Sequence, residues 1–182
     1  MNRVCALILL LTISSCSSVP LSTMARMSTF DAEDFVALNP DELQVKVILP
    51  EGFELDTETS WLGIDMSSSA GQHQGVFDLR EKSVESGEIS TGFFSEPVQS
   101  TSYLLSLTES SRVKFTDLQQ FVGKATADAV SIRVVPKLAS RPKDATSVNI
   151  SVDLRLSESQ GFFTLVDSAQ LPLGRLMESE ES

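Results

Sequence analysis

The chain has 182 residues, 41% hydrophobic and 21% charged, with 25 Asp and Glu against 14 Lys and Arg and a formal net charge of −11. That length supports one domain with a core of its own, and the composition excludes a wholly disordered chain, a collagen or a coiled coil. The acidic balance argues against nucleic acid as a partner, because neutralising phosphates supplies most of that affinity.

Met1-Asn2-Arg3 carries one positive charge and leads into the apolar run Val4–Leu11 (VCALILLL), continued by Thr12 and Ile13. A run of that length is a signal-peptide core, short of the roughly 20 residues that span a bilayer. It ends in Ile13-Ser14-Ser15-Cys16: one aliphatic residue, two small residues and a cysteine. The pattern resembles the bacterial lipobox, over residues 1–16 alone. The resemblance implies cleavage between Ser15 and Cys16, a diacylglyceryl group on the Cys16 thiol and acylation of its new amino group. An anchor of two or three acyl chains is durable. Ser17 follows where Asp would retain such a protein in the inner membrane, which implies the outer membrane, facing the periplasm. Cys5 leaves with residues 1–15 and Cys16 carries lipid, so the mature chain is expected to hold no disulfide.

Ser17–Thr29 has no sustained period and one proline, Pro20, as a spacer between lipid and domain would. Residues 16–40 are read as the lipidated cysteine and a tether, with one short helix at Asp31–Leu38 (DAEDFVAL) stopped by Asn39-Pro40. Leu43, Val45, Val47 and Leu49 alternate with Gln44, Lys46 and Ile48, which predicts a half-buried strand closed by Pro50-Glu51-Gly52. Further strands are predicted at Trp61–Met66, Gly75–Arg80, Glu88–Phe94, Ser102–Leu107 and Ala129–Val135. The strongest alternation is Val148, Ile150, Val152, Leu154 and Leu156, followed by a hairpin loop at Ser157–Gly161 into Phe162–Val166. One helix interrupts the pattern. Thr116-Asp117-Leu118-Gln119 fits a capping box, and Leu118, Phe121, Val122 and Ala125 recur at helical spacing, so a helix is placed at about 117–127. The whole predicts a mainly β protein: an antiparallel β-sandwich of about seven or eight strands over residues 41–176, with an acidic disordered tail at 177–182.

His73, the single histidine, stands in the polar stretch Ser67–Gly75 and is expected on an exposed loop. A Ser-His-Asp triad lacks its GxSxG elbow, and structural zinc lacks ligands, so no catalytic residue, metal or cofactor is expected. Glu51, Glu54, Asp56 and Glu58 form an acidic cluster that could face Ca²⁺ but reads as a solvated loop. Asn149-Ile150-Ser151 matches a glycosylation sequon, uninformative on a strand of a bacterial protein. Phe93-Phe94 and Phe162-Phe163 are adjacent pairs, so in a strand exposed on one side one ring of each would face outward and mark an interaction surface, but a strand buried on both sides or a twisted edge is the favoured reading.

The expected function is a non-enzymatic accessory or docking subunit of an envelope protein complex, anchored in the membrane through Cys16. In outline it is similar to small sandwich lipoproteins of secretion systems, including the type VI secretion family with a transthyretin-like fold, and the likeness carries over no residue. Docking by strand addition is expected along the first strand, with Gln44 and Lys46 facing the partner. Two alternatives stand beside it: a periplasmic module binding a lipid, glycan or peptide, and a carboxylate-dependent hydrolase with two buried carboxyls in one cleft.

Overall fold

A computed structural model describes residues 18–68, 71–89, 96–122 and 127–173. The lipobox-like segment with Ser15 and Cys16, the Phe93-Phe94 pair, Ala125 at the expected helix end and the acidic tail at 177–182 lie outside the described residues. In chain order the elements are α1 (Leu21–Ser28), α2 (Ala32–Ala37), β1 (Gln44–Pro50), β2 (Glu54–Ser68), β3 (Gly71–Ile89), β4 (Val98–Leu107), α3 (Glu109–Val122), β5 (Ala127–Ser140), β6 (Ser147–Arg155) and β7 (Phe163–Pro172). The mainly β, antiparallel expectation holds. The seven strands form one hydrogen-bonded ladder in the order β5-β2-β3-β4-β1-β6-β7.

The long strand β3 joins the two halves of that ladder. Gly71–Asp78 pairs with β2, whereas Leu79–Ile89 pairs with β4. Beyond Trp61, β2 bulges away and rejoins β5 at Leu55 and Asp56. The bulge closes on itself. The Asp56 carboxylate accepts the Glu58 and Thr59 amides at 3.1 Å each, and the Ser60 hydroxyl donates to the Asp56 carbonyl while accepting from the Lys137 amide. Asp56, from the acidic cluster, thus shapes a turn. Hydrogen bonding from the Thr59 hydroxyl and from those amides holds its pKa below the ordinary carboxylate value.

Period-two patterning puts one face of the sheet inside. Val45 lies between Leu105 and Leu154, and Val47 between Tyr103 and Val152, all of them buried. Each such side chain removed from water contributes roughly 1.5–3 kcal/mol. Two helices cover this face at its β3 and β5 end. Phe35 of α2, Phe115 of α3 and Phe77 of β3 are fully or almost fully buried, with ring centres 5.0 and 5.3 Å apart around Phe115. Gly75 makes the approach feasible: a Cβ there would lie 2.6 Å from Phe77 and 2.9 Å from Leu118.

Three expectations are corrected. Strand β1 is no docking edge. It sits between β4 and β6 and spends both sides of its backbone on them. Gln44 is only 5% exposed, and the Lys46 ammonium lies 4.7 Å above the Phe162 ring. Alternation reports a buried face; it carries no information on strand order, which decides the edges.

Secondly, α3 starts eight residues before the expected 117. Thr108 is its real cap, accepting the Ser111 amide on its hydroxyl and the Arg112 amide on its carbonyl. Thr116 is mid-helix, its hydroxyl donating back to the Arg112 carbonyl. Gln119 does not reach back to its own helix start. Its amide donates to the carbonyls of Phe35 (2.9 Å), Val36 (3.2 Å) and Leu38 (2.8 Å) where α2 ends, and the Phe35 carbonyl also accepts the Leu38 amide.

Thirdly, the expected tether is structured from Ser18 on. Its carbonyl accepts the Asp167 amide of β7 at 2.6 Å, and the Pro20 carbonyl accepts the first α1 amides, from Thr23 and Met24. Thr23 is buried and donates to the Thr164 carbonyl, while the Arg26 guanidinium lies 4.2 Å above the Phe163 ring. Eight residues show too little period to read a helix from; docking on β7 stabilises this one. The short helix α2 matches expectation, capped by a reciprocal pair of Asp31 and Asp34.

Candidate functional site

The outward face of β2, β3 and β5 carries the most developed arrangement of polar and aromatic side chains. Strand alternation sends Leu62, Ile64 and Met66 inward and therefore Trp61, Gly63, Asp65 and Ser67 outward. Antiparallel register sets Arg133 beside Gly63 and Ser131 beside Asp65 from β5. From β3 it sets Val76 beside Gly63 and Gln74 beside Asp65.

Glycine at 63 decides the local shape. A Cβ there would stand 2.7 Å from the Trp61 ring and 2.9 Å from Arg133 Nε, so both side chains lie across it. The Arg133 guanidinium carbon is 5.3 Å from the Trp61 ring centre, and Nη2 is 3.3 Å from Asp65 Oδ1. Gln74 Nε2 donates to the same oxygen at 2.6 Å. Asp65 thereby orients both neighbours. The ion pair is half exposed and contributes at most about 1 kcal/mol to stability, so its main effect is to fix the position of the guanidinium. A groove of about 580 Å³ opens alongside, lined by Asp65, Gln74, Ser131, Arg133 and His73 among others. An aromatic ring beside a guanidinium with five donors, a carboxylate acceptor and the Gln74 amide can hold a planar or hydroxyl-rich polar group.

His73 is not on a loop. It belongs to β3, opposite the inward-facing Met66, and its ring meets Phe121 of α3 edge-on at 4.3 Å. A second cation–aromatic cluster lies on β1 and β6, where Lys46 and Arg155 flank Phe162 at 4.7 and 5.4 Å. Phe162, just before β7, is the exposed ring of its pair rather than one buried in a two-sided strand, and Phe163 packs against the core. Ser151 of the sequon accepts the Ser168 amide at the β6–β7 pairing. Among the described residues no three His, Cys, Asp or Glu side chains group to hold a metal ion, and no helix is long and apolar enough to cross a membrane.

Sequence reasoning missed the Trp61–Arg133–Asp65 arrangement. The signal was there: Trp-x-Gly-x-Asp at 61–65 places all three residues on one face of any strand, with a gap in the middle. What the sequence could not supply was β5 as the neighbour. No known protein family, curated protein or solved structure matches the chain.

Proposed function

We propose that the chain is a lipid-anchored bacterial envelope lipoprotein, held through Cys16 and facing the periplasm from the outer membrane. It acts as a non-enzymatic docking subunit for another envelope protein. The observation that carries the anchor is the ordered run from Arg3 through the apolar core to Ile13-Ser14-Ser15-Cys16. The observation that favours docking is the outward face of β2, β3 and β5, with Val76 47% exposed beside Trp61, Arg133 and Asp65. Exposed apolar surface rimmed by oriented charge is the composition of interaction patches. Glu42 and Asp56 are both held below the ordinary carboxylate pKa, Glu42 chiefly by the Glu158 amide and Asn39. That is the opposite direction to a general acid.

Two measurements test this. Intact mass of the membrane-extracted protein should show the chain from Cys16 plus two or three acyl chains, lost in Cys16→Ser together with membrane retention. An unmodified chain would overturn the anchor. A photo-crosslinking residue at Val76 should then capture one discrete envelope protein in cells, and Arg133→Ala should abolish capture. Crosslinks that survive Arg133→Ala would remove this face from the docking role.

Trp61 stacked beside Arg133, which lines the groove, favours a second reading, a glycan-binding module, because an aromatic ring beside hydrogen-bonding side chains recognises sugars. Trp61 is the single tryptophan, so its fluorescence reports directly on this site. Saturable quenching by cell-wall glycan fragments would favour that reading over protein docking.

A further inference from the structure

Helix α1 turns an apolar face to solvent. Leu21 is 80% exposed and Met24 42%, with Ala25 and Ser28 exposed on the same side at helical spacing. Thr23, on the other side, is buried and bonded to β7, so the outward direction of Leu21 and Met24 is fixed by the fold. Leu21 is the most exposed large apolar side chain among the described residues.

The position of this face along the chain points to its occupant. Ser18 is already hydrogen-bonded to Asp167, leaving only Ser17 between the folded domain and Cys16. Two extended peptide units reach about 7 Å. A lipid on Cys16 would therefore hold the start of α1 within the thickness of the headgroup layer. Charge agrees. The chain has no Asp or Glu before Asp31, and Arg26 is the single charge between Ser17 and Phe30, so all 25 acidic residues lie further along. A strongly acidic protein is repelled by an anionic membrane surface everywhere except at such a stretch.

We propose that the outward face of α1, formed by Leu21, Met24 and Ala25, rests in the headgroup layer of the bilayer that holds the Cys16 lipid. The domain is then fixed in one orientation and does not swing on a tether. This rests on the lipoprotein reading above and adds to it a contact surface that the lipid alone does not require. Short helices with an apolar face bury it about 5–10 Å into the headgroup boundary.

The test uses the full lipidated protein in vesicles of phosphatidylethanolamine and phosphatidylglycerol, after its intact mass has shown the acyl chains. Ala25→Cys supplies the one free thiol for a fluorophore, and Val113→Cys, exposed on α3, is the reference. Shallow doxyl-lipid quenchers should quench the probe at 25 at least about threefold more than at 113, given that depth. Adding Leu21→Asn and Met24→Asn should reduce the difference to near onefold without loss of the lipid. Equal quenching at both positions in acylated protein would overturn the contact and leave the anchor standing. So would quenching at 25 that the Asn substitutions leave unchanged, since the lipid alone would then account for it. Shielding of position 25 in native membranes but not in protein-free vesicles would overturn it in favour of a protein partner. A mass without acyl chains would overturn both anchor and contact.

Discussion

The two ends of the strand order are finished differently. At the β7 end the chain closes its own edge: Ser18 and Thr23 bond to the β7 backbone, and Arg26 covers Phe163. At the β5 end the face of the sheet stays open, and Trp61, Arg133, Asp65 and Gln74 are held by one another while partly exposed to solvent. Backbone pairing at one end gives rigidity and hides an edge that would otherwise recruit other strands. Side-chain pairing at the other gives orientation without burial. One end is therefore closed by the chain itself, and the other keeps oriented side chains at its surface.

The contrast can be broken first from the core beneath the open end, at the phenylalanine cluster. Phe35→Ala should cost about 3–5 kcal/mol in urea unfolding, because it leaves a cavity between α2 and α3. If the cost is below about 1 kcal/mol, α2 is not part of that core. Gln119→Leu is next. It removes the Gln119 donor from three carbonyls at the end of α2, of which Phe35 keeps the Leu38 amide, and should cost about 1–3 kcal/mol, with faster amide exchange confined to residues 32–42. Thr23→Val keeps shape and removes one donor at the β7 end. About 1 kcal/mol is expected, with earlier proteolysis within α1; unchanged proteolysis would show that the edge is closed without it. Gly63→Ala acts at the open end alone. Its methyl should push Trp61 and Arg133 apart, shifting Trp61 emission while thermal stability stays within about 1 kcal/mol. The smallest effect belongs to Asp56. Its folded pKa lies below its unfolded value, so its contribution is present above the unfolded pKa of about 4 and is lost as pH falls through the folded one. Asp56→Asn should therefore differ from the parent chain at neutral pH and converge with it in acid.

Much of the strand content was legible because one face of each strand is buried. The alternation over Val148–Leu156 maps onto β6 with every second residue inside. The same alternation in Leu43–Leu49 located β1 correctly and misled on its use, since a central strand and an edge strand with one buried face read alike. Residues 21–28 and 109–115 were not legible as helix. Their inward side chains include Thr23 and Ser111, small polar residues whose partners lie 141 and 33 positions away. Gln119 shows the same limit: its spacing from Thr116 fits a local cap, but its real acceptors are more than eighty residues back. At the candidate site the sequence supplied one face of β2 and nothing about the strand beside it.

The pairing of residue 23 with residue 164 also has a temporal side. A ribosome makes the first of these 141 residues before the second. At ordinary synthesis rates the N-terminal segment waits on the order of ten seconds for the strand that will receive it. During that interval its backbone is open to any enzyme that must handle it. The closing contact also spans nearly the longest loop the domain contains, so it costs the most entropy to form. Helix α1 and the strand that secures it are thereby kept apart in time, by topology alone.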